Sequence, residues 1–145
     1  MSKKLKVVVT AGASGIGLAT AIAFSKTGAE VVICDINEEA LDTAKLGNPK
    51  LKVKHCDVSN PDTTKEFIHS AARQLGGIDT LVNNAGIGGP TAPIENITPE
   101  EWSKCLDVCL SSQFNCIRSS VPYLKESNNP SIINLSSAAG RMGFA

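Results

Sequence analysis

The chain has 145 residues, of which 42% are hydrophobic, 19% charged and only 4% aromatic. That composition excludes disorder and fits one domain with an aliphatic core. Lys+Arg at 14 balance Asp+Glu at 14, so there is no basic excess for sequence-blind binding of nucleic acid or of an anionic membrane.

Leu5–Thr10 is a short β-branched run and reads as a buried strand. The start of the chain, Lys3, Lys4 and Lys6 followed by an apolar run, superficially resembles a signal peptide. The apolar run is broken by Gly12, Gly15 and Gly17, which a strand, turn and helix explain better. Ser14–Lys26 has apolar residues at helical spacing and is closed by Gly28. Glu30–Asp35 is a second strand, Glu38–Leu46 a short helix ending at Gly47, and Leu51–Cys56 a third strand. Asn60 and Pro61 are the N-cap and first residue of a helix that runs to Gly76–Gly77. Ile78–Val82 is a fourth strand, and Asn83–Ile97 is a loop containing Gly and Pro. Thr98, Pro99, Glu100 and Glu101 form a capping box with proline at the first helical position. The long helix they open is expected to kink near Pro122. Ser131–Ser136 is a fifth strand.

Strand and helix alternate four times before the fifth strand. This pattern argues for a doubly wound α/β fold, a Rossmann-type parallel sheet of about five strands forming one domain over residues 1–145. In such sheets ligands bind at the carboxyl ends of the strands, at the switch point between the first and fourth. No stretch is long and apolar enough to span a bilayer. The five cysteines, Cys34, Cys56, Cys105, Cys109 and Cys116, include no CxxC pair. Neither a disulfide framework nor a zinc site is expected, and reduced thiols fit the cytoplasm. Cys105 and Cys109 are four apart on one helical face. Buried apolar packing is favoured over metal binding for them.

Thr10, Ala11, Gly12, Ala13, Ser14, Gly15, Ile16 and Gly17 follow the first strand. Glycines there allow a tight turn and a close backbone approach to a pyrophosphate, which then faces the N-terminus of the next helix. A plain tight turn is the alternative; the flanking strand and helix favour the phosphate cradle. Asp35 ends the second strand, near the spacing at which an acidic residue takes a ribose diol. Its carboxylate would accept two hydroxyl hydrogens and repel a 2′-phosphate, and neither Ser14 nor Ile36 carries positive charge. The expected cofactor is NAD in preference to NADP, with Asp35 as a solvated loop acid or N-cap the alternative.

In order and along its whole length the chain resembles the short-chain dehydrogenase/reductase family. The resemblance rests on the glycine pattern, on Cys56-Asp57-Val58 after the third strand, on Asn83-Asn84-Ala85-Gly86 after the fourth, and on Ile132-Ile133-Asn134-Leu135-Ser136-Ser137 at the fifth. It implies that Asp57 bonds the adenine amino group and that Val58 supplies a backbone contact. It also implies that Asn83, Asn84, Ala85 and Gly86 steady the sheet and line the cofactor cleft. Asn side chains also satisfy loop backbone groups, so a structural role for that stretch stands beside direct contact. Ser137 resembles the family's catalytic serine, which hydrogen-bonds the substrate oxygen and steadies a developing alkoxide.

The chain departs from the family pattern at three places. Ala11 stands where the family usually has its first glycine. Cys109 stands where the family has an asparagine that holds a water in a proton relay; a thiol is a poor substitute, and core filling is its expected role. The family's tyrosine, with a lysine four residues later, follows the catalytic serine. Here the chain ends at Arg141-Met142-Gly143-Phe144-Ala145, and the only tyrosine, Tyr123, precedes Ser137.

The resulting expectation is an NAD-dependent oxidoreductase acting on a small alcohol or carbonyl compound. It is expected to be truncated before the acid/base pair and inactive as 145 residues, with an apolar fifth strand left exposed at the sheet edge. A homo-oligomer through the long helix is implied by the resemblance; no nucleic acid, membrane or metal is expected. The alternative is a non-catalytic NAD-binding or oligomeric interaction module. A nucleotide-sugar epimerase fits the glycine spacing and the Asn-Asn-Ala-Gly stretch less well.

Overall fold

The computed structural model describes residues 4–142; Lys3 at the start and Gly143, Phe144 and Ala145 at the end lie outside the described residues. Five strands form one parallel sheet: β1 (Lys6–Thr10), β2 (Glu30–Asp35), β3 (Lys52–His55), β4 (Thr80–Asn83) and β5 (Ser131–Asn134). Their order across the sheet is β3-β2-β1-β4-β5. Val8 of β1 pairs with Val32 on one side and with Leu81 on the other. The winding reverses at β1, so a crevice opens between the ends of β1 and β4. This is the Rossmann-type doubly wound architecture expected from the alternation of strands and helices.

The helices are α1 (Gly15–Lys26), α2 (Glu38–Gly47), α3 (Pro61–Leu75), α4 (Pro99–Leu106) and α5 (Ser112–Lys125). Local chemistry sets their ends. Gly28 takes φ +89°, and its N–H and that of Ala29 bond Ser25 and Phe24 carbonyls at 3.1 and 3.3 Å. These two bonds close α1 in a Schellman turn. The Asn60 side chain accepts from the N–H groups of Asp62 and Thr63, and Pro61 follows as the first residue of α3. Gly76 ends that helix at φ +70°. At α4, Thr98 Oγ1 accepts from Glu101 N at 3.2 Å while Glu101 Oε2 accepts from Thr98 N at 2.9 Å. The capping box is complete in both directions.

The sheet sorts its residues by the period of two that a strand imposes. Val8, Val32, Cys34 and Leu81 face α3 and α5 and meet Phe67, Ile68, Ala71, Cys116 and Leu124. Val7, Val9, Val31, Ile33 and Val82 face the other way, onto Ala21, Leu41 and Ala44 of α1 and α2. Both faces of the central strands are therefore dry, which explains their unbroken apolar sequence.

The long helix departs from expectation. It continues past Pro122 to Lys125, and its break lies earlier, in a π-helical turn over Asp107–Ser111 between α4 and α5. Ser112 Oγ donates to Val108 O at 2.6 Å, taking a carbonyl within the widened turn. Its apolar residues divide between two surfaces. Cys116 and Leu124 are buried against the sheet, while Trp102, Leu110 and Phe114 are 57%, 63% and 59% exposed. At the sheet edge Ile132 and Ile133 of β5 are each 41% exposed. Among the described residues no helix is long and apolar enough to cross a membrane.

Leu81 is fully buried, whereas Leu46 is 85% exposed. Leu81→Ala is expected to cost about 2–5 kcal/mol. Leu46→Ala should change stability by less than about 0.5 kcal/mol. Urea unfolding followed by circular dichroism compares the two; similar costs would contradict the packing described.

Candidate functional site

The first turn is built by close backbone approach. A Cβ on Gly12 would lie 2.6 Å from Cβ of Ile33 in β2, and one on Gly17 would strike the Ala11 carbonyl and come within 2.5 Å of Asn84 Nδ2. Gly15 supplies φ +51° where the chain turns into α1. Ala11 takes φ +47°, a left-handed conformation that glycine adopts without strain. The Ser14 side chain makes no cap hydrogen bond. Its hydroxyl and the first N–H groups of α1 are thus available to an anion.

Two strand ends converge on that turn. At the end of β2, Asp35 accepts Ala13 N–H at 3.2 Å through one oxygen and Asn37 N–H at 3.1 Å through the other. The carboxylate is fixed beside the glycine turn with lone pairs to spare. At the end of β4, Asn84 Nδ2 donates to the carbonyls of Thr10 and Ala11 at 3.1 and 3.0 Å. Thr10 Oγ1 accepts Asn84 N–H at 3.0 Å and Ala85 N–H at 3.2 Å. Asn84 thus fastens β4 to the turn after β1. Asn83 Nδ2 donates to Asn134 Oδ1 at 2.8 Å, linking β4 to β5.

After β3, one oxygen of Asp57 accepts from both Ser59 N–H and Ser59 Oγ, at 2.9 and 2.7 Å. Its other oxygen has no hydrogen bond within the protein among the described residues. Cys56 lies beside it; a hydrogen bond from Cys34 holds the Cys56 thiol below its usual range. A cleft of about 730 Å³ runs along these strand ends. Of the residues singled out by sequence, Ser14, Asp35, Ile36, Asp57, Val58, Ala85 and Gly86 line it, together with Ala11. Thr10, Gly12, Gly15, Ile16, Gly17 and Asn84 shape the turn beside it. Ser137 is not in the cleft: it lies in a separate recess with Ser136, Ala138, Arg141 and Met142, and its Oγ accepts Ala139 N–H at 3.2 Å.

Cys109 is not core filler. It is half-buried, and its Sγ accepts from Ile87 N at 3.3 Å and donates to Ile87 O at 3.4 Å. The π turn places this thiol against the loop after β4, where a backbone amide and carbonyl needed partners. Cys105 is likewise half-buried. The sequence reading also missed the wall that α4 contributes. Glu100, Ser103, Lys104 and Asp107 face the cleft. Their spacing of i, i+3, i+4 and i+7 marks a single helical face, a signal legible in the sequence. Gln113 was missed as well. Its Nε2 donates to Cys109 O at 3.0 Å and to Leu135 O at 3.2 Å, bracing the π turn against the segment that carries Ser137.

The cleft carries four carboxylates, on Asp35, Asp57, Glu100 and Asp107, and one cation, Lys104. Such a lining favours hydroxyl and amino donors and opposes an additional phosphate away from the helix N-terminus. Among the described residues no group of three or more His, Cys, Asp or Glu is placed to hold a metal ion.

A family model described as short chain dehydrogenase matches residues 5–145. The chain is 37% identical over 142 residues to a 3beta-hydroxysteroid dehydrogenase of Mediterraneibacter gnavus, covering 95% of this chain and 51% of that protein. It is 37% identical over 140 residues to a 3-oxoacyl-(acyl-carrier-protein) reductase of Thermotoga maritima, covering 94% and 56%. Among solved structures, the ligand-free aldohexose dehydrogenase of Thermoplasma acidophilum superposes with a TM-score of 0.83 at 35% identity, over 93% of this chain and 50% of that one. A short-chain dehydrogenase of Streptomyces avermitilis gives 0.89 at 29% identity, over 100% and 54%. The chain spans about half the length of the curated relatives it matches.

Two substitutions test the turn. Gly17→Ala is expected to destabilise by about 1–3 kcal/mol through overpacking against Ala11 and Asn84. Ala11→Gly should stabilise by roughly 0.5–1 kcal/mol, the relief of left-handed strain less the entropy glycine adds to the unfolded chain. Thermal unfolding measures both; the same sign for the two would refute this account of the turn.

Proposed function

The chain belongs to the short-chain dehydrogenase family, and on that premise we propose that it carries the dinucleotide-holding elements of an NAD-dependent oxidoreductase acting on a small alcohol or carbonyl substrate. Members of the family bind nicotinamide cofactors and act on small molecules. The dinucleotide supplies hydride chemistry at its nicotinamide ring.

The observation that carries the NAD reading is Asp35, anchored to Ala13 and Asn37 N–H groups at the edge of the glycine turn. Its carboxylate accepts the two hydroxyl hydrogens of a ribose diol and repels a 2′-phosphate. The residues fit the group: Gly12 and Gly17 let the turn pack tightly against Ile33 and Ala11, a Cβ on Gly15 would meet only open space, and the uncapped first turn of α1 receives the pyrophosphate. Asp57 takes the adenine amino group through its free oxygen, with Val58 beside it. Ala85 and Gly86 form the opposite side of the cleft. Ser137 orients the substrate oxygen and steadies its negative charge.

Within these 145 residues no tyrosine follows Ser137. We therefore assign dinucleotide binding without turnover to this polypeptide by itself. Proton transfer by a missing acid/base group is worth roughly 10²–10⁴ in rate. A non-catalytic dinucleotide-binding module is the second reading. The two separate if a continuation of the reading frame encodes tyrosine and lysine four residues apart.

The exposed stripe of Trp102, Leu106, Leu110 and Phe114, spaced by four along the long helix, supports a homo-oligomer packed through that face. Its free cysteines agree with a location in the cytosol.

NADH fluorescence titration is expected to give binding at least tenfold tighter than for NADPH, with Asp35→Ala removing most of that preference. Tighter NADPH binding would overturn the cofactor assignment. An NADH absorbance assay across alcohols and ketones is expected to show no enzyme-dependent rate; clear turnover refutes the inactivity. Phe114→Glu should convert the oligomer to monomer in light scattering while leaving the fold intact; an unchanged mass rejects the long-helix interface.

A further inference from the structure

The thiols of Cys105 and Cys109 have no part in the reading above, yet they sit one turn apart where α4 enters the π turn. The Gly86–Gly89 segment lies directly on them. Cys109 Sγ holds both backbone groups of Ile87. A Cβ on Gly89 would come within 3.2 Å of Cys105 Sγ, and one on Gly86 within 4.0 Å of Cys109 Sγ. Gly86 and Ile87 also line the cleft, so the same short segment touches both the thiol pair and the dinucleotide region.

We propose that Cys105 and Cys109 form a dithiol modification site that closes to an intrahelical disulfide by exchange with a low-molecular-weight disulfide, and that closure frees Gly86–Gly89 from the helix and weakens dinucleotide binding. The binding consequence rests on the dinucleotide reading; the site itself does not.

The exchange balances without another oxidant. One thiol of the pair, as thiolate, attacks a sulfur of the external disulfide and expels one external thiolate. The second then attacks the mixed disulfide and expels the other. One internal S–S bond replaces the external one, and the two external thiols carry away the two protons.

Helix geometry explains why closure reaches the cleft. Residues four apart have Cα atoms about 6 Å apart, within disulfide range. Their Cβ atoms lie about 5–6 Å apart, whereas a disulfide needs about 3.5–4.5 Å. The pair must therefore close by roughly 1–2 Å, and Cys109 Sγ, once bonded to sulfur, has no S–H to give Ile87 O. Loss of that donor, with Sγ drawn off Ile87 N–H as the pair closes, removes both sides of the grip on the loop. Desolvation and the neighbouring Cys109 raise the Cys105 thiol too, so what separates the pair from Cys34 and Cys116 is access: those two are buried and the pair is half-exposed. Burial holds Cys34 well above its usual range and pushes Cys116 up to about 12. Cys56, at the cleft floor, is the competitor.

The test incubates the chain with oxidised glutathione, maps its disulfides by peptide mass spectrometry, follows amide hydrogen exchange at Ile87, and titrates NADH. The expected result is a Cys105–Cys109 bridge, exchange at Ile87 roughly five- to tenfold faster, as loss of one hydrogen bond gives, and severalfold weaker NADH binding, all reversed by dithiothreitol. Cys105→Ser should bind NADH as the parent does and ignore the oxidant; Cys56→Ser should still form the bridge. Absence of the Cys105–Cys109 peptide, a bridge only between Cys34 and Cys56 or between two chains, or a bridge with unchanged Ile87 exchange overturns the proposal. If the reduced chain fails to bind NADH, the dinucleotide reading falls, and the peptide map and Ile87 exchange still decide the site.

Discussion

The carboxyl edge of the sheet depends on the side-chain amide of Asn84. By donating to the carbonyls of Thr10 and Ala11 it joins the end of β4 to the turn after β1. Those carbonyls lie at the switch point, where the parallel ladder has run out and no strand remains to pair them. Gly17 is held against the same amide and the same Ala11 carbonyl. One side chain thus sets the separation of two strands, the depth of the turn and the start of α1. The left-handed conformation of Ala11 follows, since its carbonyl must point at Asn84.

Charge is distributed to match. The glycine turn offers N–H groups, whereas the cleft wall beyond it is acidic through Asp35, Asp57, Glu100 and Asp107. An anion is welcomed at the helix start and opposed farther along. A neutral chain can hold an anionic ligand in this way because the favourable potential comes from backbone dipoles, with no need for an excess of lysine or arginine.

Much of this was legible in the residues. Thr98 and Glu101 announce a capping box, Asn60 and Pro61 a helix start, and Gly28 a helix end, because each depends on neighbours in the chain. The alternation of apolar strands with helices announces the winding for the same reason. The glycine turn and Asp35 could be placed because their spacing is fixed by one strand–turn–helix unit. The π turn was hidden: its widened carbonyls are satisfied by Ser112 and Gln113, ordinary helix-surface residues until the fold brings Leu135 near. The role of Cys109 was hidden likewise, since its partner Ile87 lies across a loop whose path no local pattern dictates. Pro122 misled because a proline costs a helix only what its surroundings cannot absorb. Ser137 was singled out by its neighbours in sequence, but the recess around it could not be inferred from them.

The central position of β1 has a consequence for the order in which the molecule is made. Its pairing with β2 joins Val8 to Val32, whereas its pairing with β4 joins the same residue to Leu81. During synthesis the amino-terminal strands and helices emerge together and can pair across short loops, while the other edge of β1 waits for a strand far down the chain. The crevice is thus among the last features to form, and until β4 arrives the apolar edge of β1 is open to any extended segment nearby. A nascent chain stalled between α2 and β4 would be the aggregation-prone species, already holding its glycine turn but lacking the asparagine that fastens it.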